Sequence, residues 1–360
     1  MKVAVVGAGN AGVAAAADMS GRGHEVTLIK TSHSMHDENF NYLLSHNGAV
    51  EVWEDGKTRI NYISHISRNL AKVADVQVVI LYLMTNYHEK VISELVNYLH
   101  AGQIVILNPG YLSTAYFLKH GVQDGVSIVE AESSFIDCRI SGPGKIRVSF
   151  RNVRNPVGVY PTSKQDEVMD TISQLGYPLS SLGNVVEAAL HNPNLIVHTV
   201  GAVMSIPRIE KTGGDYCMYH EVWTPSVWRI LEKLDAEKMD VLEALGLKRI
   251  PYVEACKFRN TLDDERDAKE VFFWYAAMPT CVKGPLVVDS RYISEDVPQG
   301  LVMLEALGKR LDVETPVCSA LISIASAALG RDLRAEGRTP DNLGIENIDA
   351  ILSDCGMNII

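Results

Sequence analysis

Six residues near the start of the chain constrain its fold more than any other segment. Lys2 to Val6 is a short run rich in β-branched residues that stops at Gly7, and Gly7-Ala8-Gly9-Asn10-Ala11-Gly12 then fits G-x-G-x-x-G. Val13 to Ser20 reads as a helix ended by Gly21 and Gly23, and Glu25 to Ile29 as a second strand. A glycine pattern set between a strand and a helix opens a dinucleotide-binding β-turn-α-β unit. Gly7 permits the tight turn, Gly9 lets backbone approach a pyrophosphate, and Gly12 lets the helix pack close to the strand. The helix N-terminus then faces the anion. Gly7, Gly9, Asn10, Ala11 and Gly12 are therefore expected to contact a dinucleotide. A glycine turn without a ligand is the alternative, and the flanking strand and helix weigh against it.

Further strand and helix signals follow in alternation. Val76 to Leu83 is nearly continuous apolar sequence, as a buried parallel strand should be. Tyr87 to Leu99 reads as helix, Gln103 to Leu107 as strand, Ser113 to His120 as helix and Ser127 to Glu130 as strand. In open parallel sheets ligands bind beyond the strand ends. That makes Thr85, in Met84-Thr85-Asn86, and Asn108, in Asn108-Pro109-Gly110, candidate cofactor contacts. Ile146 to Phe150 and Val157 to Tyr160 read as a hairpin, and Glu167 to Leu175 as an amphipathic helix. After Leu182-Gly183-Asn184 the strand signals thin out and long helical patterns take over. Asn192-Pro193, Thr224-Pro225 and Thr315-Pro316 each look like a helix start. The expected architecture is an α/β Rossmann-like dinucleotide-binding domain over 1–183 and a mainly α-helical domain over 184–360, with a cleft between them.

Composition narrows the partners. The 360 residues carry a formal net charge of -11, which does not suit general binding to a phosphate backbone, so no nucleic-acid partner is expected. The longest apolar run, Val76 to Met84, falls far short of the ~20 residues of a spanning helix, and no membrane association is expected. Met1-Lys2 and the alanines 14 to 17 imitate a signal peptide, but the glycines among them have their own explanation. The six cysteines form no CxxC pair, which points to reduced thiols and a cytoplasmic protein. His33, His36, His46, His65, His88 and His100 stand at no metal-ligand spacing, and no metal is expected.

The cofactor can be argued from one position. An acidic residue about 20 positions past the glycine turn takes the ribose 2′-hydroxyl of NAD. Here the second strand runs into Lys30-Thr31-Ser32-His33, a cation and two hydroxyls that would accept a 2′-phosphate. Lys30, Thr31 and Ser32 thus favour NADP, with NAD as the alternative. Lys30 as a solvated strand-end residue is the structural reading of the same residue.

Catalytic candidates lie in the helical half. His198 follows Asn194 by four residues, so both share a helix face. A histidine amid Leu195, Ile196, Val197 and Val200 needs a polar partner. Asp296 is a candidate partner: a carboxylate on one imidazole nitrogen would leave the other for substrate. Asp296 with Gln299 also imitates a capping box.

Three later segments carry a resemblance. Phe135-Ile136-Asp137-Cys138-Arg139 with Gly142-Pro143, His191-Asn192-Pro193-Asn194 through His198, and Arg291-Tyr292 through Glu295-Asp296-Val297-Pro298-Gln299-Gly300-Leu301 resemble the octopine/nopaline (opine) dehydrogenases. The resemblance implies a helical domain of the 6-phosphogluconate dehydrogenase C-terminal type. It also implies reductive condensation of an amino acid with a 2-oxo acid such as pyruvate, using NADPH or NADH. The family's catalytic histidine then falls on His198 and its partner acid on Asp296. Both substrates carry carboxylates, so a buried arginine is expected, with Arg139, Arg208 and Arg291 as candidates and Asn194 beside the substrate. Two other readings compete. A ketopantoate- or 3-hydroxy-acid-type reductase would use a lysine on the first helix of the helical domain, where none occurs before Lys211. A non-catalytic NAD(P)-binding sensor would not need His198 or Asp296. A homodimer is expected on frequency alone.

Overall fold

The structure, a computed structural model, describes residues 1–278 and 283–357. They form two compact units, Met1–Val185 and Val186–Ile360. The first unit is an α/β Rossmann-like fold and the second is mainly α-helical.

The strands of the first unit are β1 (Lys2–Val6), β2 (Glu25–Ile29), β3 (Ala49–Glu54), β4 (Lys57–Tyr62), β5 (His65–Ser67), β6 (Val78–Leu81), β7 (Ile104–Leu107), β8 (Ser127–Ala131), β9 (Ile136–Gly142), β10 (Lys145–Arg151), β11 (Asn155–Tyr160) and β12 (Leu179–Ser181). Its α-helices are α1 (Asn10–Gly21), α2 (Asp37–Ser45), α3 (His88–Leu95), α4 (Thr114–Lys119) and α5 (Gln165–Ser173). The main sheet has the order β12-β11-β8-β7-β6-β1-β2-β5. Its central strands β1, β6 and β7 are apolar and buried on both faces, as crossover helices require. The register aligns Val6 with Leu81 and Leu81 with Leu107, so Gly7, Tyr82 and Asn108 stand at one level past the strand ends.

A second sheet, β4-β3-β10-β9, was not legible in the sequence. It packs with the main sheet on α1, whose Ala14 to Ala17 are buried. Small side chains let both layers approach the helix, which explains the alanine run that imitates a signal peptide. An ion network around the buried Asp18 ties α1 to this sheet: Asp18 accepts from Arg151 at 3.0 Å and from Arg22 at 3.0 Å, and Arg59 lies 2.7 Å from Glu54. Burial works against the Asp18 charge, yet Arg151 and Arg22 outweigh it and hold the carboxyl below its usual range.

The hairpin expected between Ile146–Phe150 and Val157–Tyr160 does not form. β10 pairs with β9 and β3 in the small sheet, whereas β11 pairs with β8 and β12 in the main one. Burial explains the separation. β11 is buried along its first five residues, which suits a sheet covered on both faces, while β10 alternates exposed and buried residues. The apolar run at 76–83 yields a shorter strand, Val78–Leu81, and α1 begins at Asn10 rather than Val13.

The second unit is built on α7 (Pro193–Met204), whose residues Leu195 to Val203 are all buried, after the short α6 (Val185–Leu190). Around it lie α8 (Ile206–Thr212), α9 (Met218–Glu221), α10 (Pro225–Ala244), α11 (Tyr252–Asn260), α12 (Ala268–Ala276), α13 (Arg291–Ser294), α14 (Val302–Arg310), α15 (Pro316–Leu329), α16 (Pro340–Leu343) and α17 (Ile345–Asp354). Asn192 caps α7 through its side chain, which accepts from the Asn194 N–H at 3.0 Å. Thr224 and Thr315 precede proline at a helix start but make no side-chain cap. A π-helical turn, Val297–Leu301, leads directly into α14. Cys138, Cys256, Cys318 and Cys355 are unbridged, and Cys281 lies outside the described residues. No described helix is long and apolar enough to cross a membrane.

Candidate active site

The glycine turn is built for a ligand's backbone approach. Gly7 has φ +116°, and a Cβ there would lie 2.2 Å from Tyr82 O. A Cβ on Gly12 would lie 1.8 Å from Gly7 O. These two glycines are demanded by the protein itself. Gly9 is different: the nearest atom to its Cβ would be His36 Cδ2 at 3.9 Å, so the space above it is open. The first intrahelical bond runs from Val13 N–H to Gly9 O, which leaves the N–H groups of Asn10, Ala11 and Gly12 as the usual unpaired first-turn donors. The first turn holds no acidic side chain to compete with an anion. Asn10 does more than border the turn: its Oδ1 accepts from the Ile140 N–H at 2.8 Å and clamps β9 to the helix start.

Two strands from the turn lies Asn108. It is buried, and neither its carboxamide nitrogen nor its oxygen has a hydrogen-bond partner. Such an orphan costs roughly 1–3 kcal/mol per polar atom unless something pairs with it. The following loop is firmly held. Tyr111 and Leu112 both have positive φ, and Glu130, fully buried, accepts from the Leu112 and Thr114 N–H groups at 2.8 Å each. His88 bridges the neighbouring loops, with Nδ1 2.7 Å from Ser113 Oγ and Nε2 3.3 Å from Leu83 O. Thr85 is buried between these elements, at the start of a short 3-10 turn. The cradle over Gly9 and the orphaned carboxamide of Asn108 are the two features that fit a dinucleotide laid across the strand ends.

At the other side of the turn, Thr31 and Ser32 are exposed but Lys30 is buried. The Lys30 ammonium donates to Ser32 O at 2.9 Å and Ser32 Oγ at 3.0 Å, holding the loop that it heads. Sequence reasoning missed Arg68, one residue past the three-residue strand β5, and Asp37 at the start of α2. They form an ion pair at 2.7 Å beside Lys30. The register of β2 with β5 was the missing information.

In the second unit His198 and Asp296 meet, although they are far apart in sequence. Nδ1 of His198 lies 2.8 Å from Asp296 Oδ2, and Asp296 is 1% exposed. A carboxylate oxygen only accepts, so in the neutral imidazole the proton sits on Nδ1 and Nε2 is the accepting nitrogen. The ring of Tyr292 packs on the imidazole, with centroids 3.9 Å apart at 42°. The sequence reading quoted Tyr292 in the segment that carries the resemblance but gave it no role of its own, although it stands four residues before Asp296. The capping-box reading of Asp296 and Gln299 is overturned. Asp296 makes no side-chain cap because its carboxylate is turned to His198, and Gln299 Oε1 accepts from Arg338 Nε at 2.8 Å. Asn194 is half-buried, one turn before His198.

The arginines differ from expectation. Arg139, Arg208 and Arg291 are all exposed, and the buried arginines among the described residues are Arg259 and Arg338. Arg139 alternates outward on β9, with Nη1 donating to the Cys138 carbonyl at 2.8 Å. Arg208 pairs with Glu221 at 2.9 Å, and Arg291 with Glu295 at 3.2 Å. No group of three metal-ligating side chains occurs among the described residues.

Comparison with known proteins agrees with this geometry. Residues 181–329 match the family model described as NAD/NADP octopine/nopaline dehydrogenase, alpha-helical domain. An opine dehydrogenase of Arthrobacter sp. (strain 1C) is 27% identical over 354 residues, 96% of each chain. A solved octopine dehydrogenase in complex with NADH and agmatine superposes with a TM-score of 0.77 at 18% identity, over 99% of this chain and 98% of that one. A yersinopine dehydrogenase with NADP+ bound gives 0.72 at 15% identity, over 99% of each. The helical-domain match, the full-length relative and the shared two-part fold agree: the chain is similar to the octopine/nopaline (opine) dehydrogenases along its length, and its residues 181–329 match their alpha-helical domain.

Proposed function

We propose that this protein is an NAD(P)H-dependent opine dehydrogenase that condenses the amino group of an amino acid with a 2-oxo acid and reduces the product. The balance is amine plus oxo acid plus NAD(P)H plus a proton, giving a secondary amine dicarboxylate, NAD(P)+ and water. One observation carries the reading: a buried histidine whose Nδ1 is held by a buried carboxylate at 2.8 Å, in a chain that also carries a dinucleotide cradle. That combination suits proton transfer coupled to reduction and has no use in a passive nucleotide sensor.

The bound cofactor supplies a hydride to the former carbonyl carbon. The N–H groups of Asn10, Ala11 and Gly12 would receive its pyrophosphate over Gly9. Asn108 would pair its orphaned carboxamide with the nicotinamide half, and Thr85 would border the same half. Lys30, Thr31 and Ser32 border the adenosine half and favour the 2′-phosphate of NADP over NAD.

His198 takes a proton from the attacking amine at Nε2 and passes it to the former carbonyl oxygen, and the second proton of the balance, delivered through the same imidazole, turns that hydroxyl into departing water. Asp296 fixes the tautomer and stabilises the imidazolium formed midway. Arg291, on the same short helix as Tyr292, is assigned to a substrate carboxylate, and Arg139 and Asn194 to further substrate contacts. A ketopantoate-type reductase is less favoured, because the first full helix of the helical unit offers His198 and no lysine.

The test follows NADPH and NADH absorbance with a panel of 2-oxo acids, with and without amino acids. Oxidation that requires both substrates supports the reading. Oxidation by an oxo acid alone supports a hydroxy-acid reductase, and tight cofactor binding with no oxidation supports a sensor. His198→Asn should abolish turnover and leave cofactor affinity unchanged.

A further inference from the structure

We propose that Arg68 is the residue that selects the 2′-phosphate of the cofactor, held ready for it by Asp37. This rests on reading the first unit as the dinucleotide-binding domain and does not depend on the condensation chemistry.

Direction along the sheet comes first. The glycine turn follows β1, and Asn108 lies past β7, on the side of β6. A dinucleotide whose pyrophosphate sits at the turn and whose nicotinamide half runs toward Asn108 must lay its adenosine half over β2 and β5. The pairing of Ile29 with Ser67 puts Lys30 and Arg68 side by side just past those ends, about 5 Å apart in backbone. The chain therefore places two cations where the adenosine ribose must come.

The two cations are not equivalent. Lys30 has three donors, and its side chain is 5% exposed. It serves Ser32 O, Ser32 Oγ and Ser34 O at 2.9, 3.0 and 3.4 Å, with Asp37 Oδ1 also at 3.4 Å. Turning Lys30 to a ligand would undo the loop at 31–37. Arg68 is 28% exposed at its side chain and has five donors. Its Nη1 donates to Ser32 O at 2.6 Å and its Nη2 to Asp37 Oδ1 at 2.7 Å. The guanidinium lies over the buried Phe40 ring at 4.6 Å, which fixes its plane. A planar fork set on an aromatic ring suits bidentate capture of a phosphate, and a plane of this kind also offers a surface to an adenine.

Asp37 is the apparent contradiction, since a carboxylate at this place disfavours a 2′-phosphate. Its partners resolve it. Arg68 and Lys30 both bond or pair with the carboxylate, and two cations against one anion leave the cluster with a net positive charge. His33 Nδ1 stands 3.8 Å from the other carboxylate oxygen. Asp37 thus orients Arg68 before the cofactor arrives, at some cost in repulsion once the phosphate is present. Ser32 and Ser34, both exposed, add hydroxyls beside the fork.

The experiment measures Kd for NADPH and for NADH from nicotinamide fluorescence on the full chain at fixed salt, in the parent protein, Arg68→Ala, Arg68→Lys and Asp37→Asn. The parent should bind NADPH more tightly than NADH. Arg68→Ala should weaken NADPH by about 30-fold or more, the loss of a bidentate charge-assisted pair, and NADH by no more than about 3-fold. Arg68→Lys should keep part of the preference, and Asp37→Asn should tighten NADPH relative to NADH. If Arg68→Ala does not fold, the Arg68→Lys and Asp37→Asn ratios decide. A preference for NADH in the parent, or variants in which both cofactors change by the same factor, would overturn the assignment. Tight, Arg68-dependent NADPH binding in a protein that condenses nothing would refute the proposed function and leave this inference standing.

Discussion

Replacing Asp296 with asparagine keeps the size of the side chain and removes the charge beside His198. The structure sets the scale of the effect. Unit charges 2.8 Å apart attract by roughly 6 kcal/mol at an effective dielectric of about 20. Much of that is offset by the cost of burying Asp296, so about 3–4 kcal/mol of imidazolium stabilisation should be lost. Each ~1.4 kcal/mol is tenfold in rate, which places the fall in kcat at about 10²- to 10³-fold. The carboxamide also permits the wrong tautomer, with Nδ1 accepting and Nε2 protonated, which pushes the loss toward the larger figure. The assay is steady-state oxidation of NADPH with saturating substrates, alongside cofactor Kd and Tm, both of which should stay near the parent values. A double variant with His198→Asn adds a sharper check: residues that act as one unit should show no further loss beyond the histidine change alone. If Asp296→Asn keeps kcat within about threefold of the parent, the pair is structural and the catalytic assignment of His198 loses its main support.

Four other substitutions separate fold from site. Gly9→Ala meets open space and should leave Tm nearly unchanged while weakening cofactor binding. Gly7→Ala forces a Cβ onto Tyr82 O at a positive φ and should unfold the protein at lower temperature, a contrast read by calorimetry and fluorescence titration. Asn108→Ala removes a buried orphaned carboxamide, so the cofactor-free protein should be as stable as the parent or up to about 2 kcal/mol more stable, yet bind NAD(P)H less well; equal binding would refute its role. Glu305 is held down to about 2, chiefly by hydrogen bonds from Arg334, against the opposing effect of burial. A lowered carboxyl stabilises the fold fully above its unfolded value of 4.5, and that contribution fades as pH falls toward about 2. Glu305→Gln should therefore lower Tm at pH 7, and the gap to the parent should close in acid.

What could be read in advance divides along the range of the interaction. The glycine turn was legible because Gly7 and Gly12 answer to local backbone geometry, and the Asn192-Pro193 start because a cap acts over two residues. The small sheet was not legible, since β3 pairs in parallel with β10, with Glu51 opposite Lys145, half of the first unit away in sequence. One local cue was present: Asp55-Gly56 between alternating residues marks the β3–β4 hairpin. The false hairpin came from the same blindness: β10 alternates where β11 is buried throughout its first five residues, but the sheet that each joins is set by distant partners. At the site, His198 and Asp296 were named separately by residue type, but their meeting is a tertiary fact. The misread capping box shows the converse. The spacing of Asp296 and Gln299 satisfied a local rule while both side chains were committed to distant partners. Arg68 was invisible for want of a register between β2 and β5.

The π turn at Val297–Leu301 holds one more residue than an α-helical turn over the same rise, and it falls immediately after Asp296. Winding all of its residues as ordinary α-helix would continue α14 toward its N-terminus with one residue too many. Every side chain upstream would then swing by about 100° around the helix axis and retreat along it by about 1.5 Å. Asp296 would point away from the imidazole with its chemistry intact and its aim lost. The widened turn thus absorbs the extra residue and keeps Asp296 in phase with the imidazole, so a one-residue deletion that restores a plain α turn should leave the two facing each other.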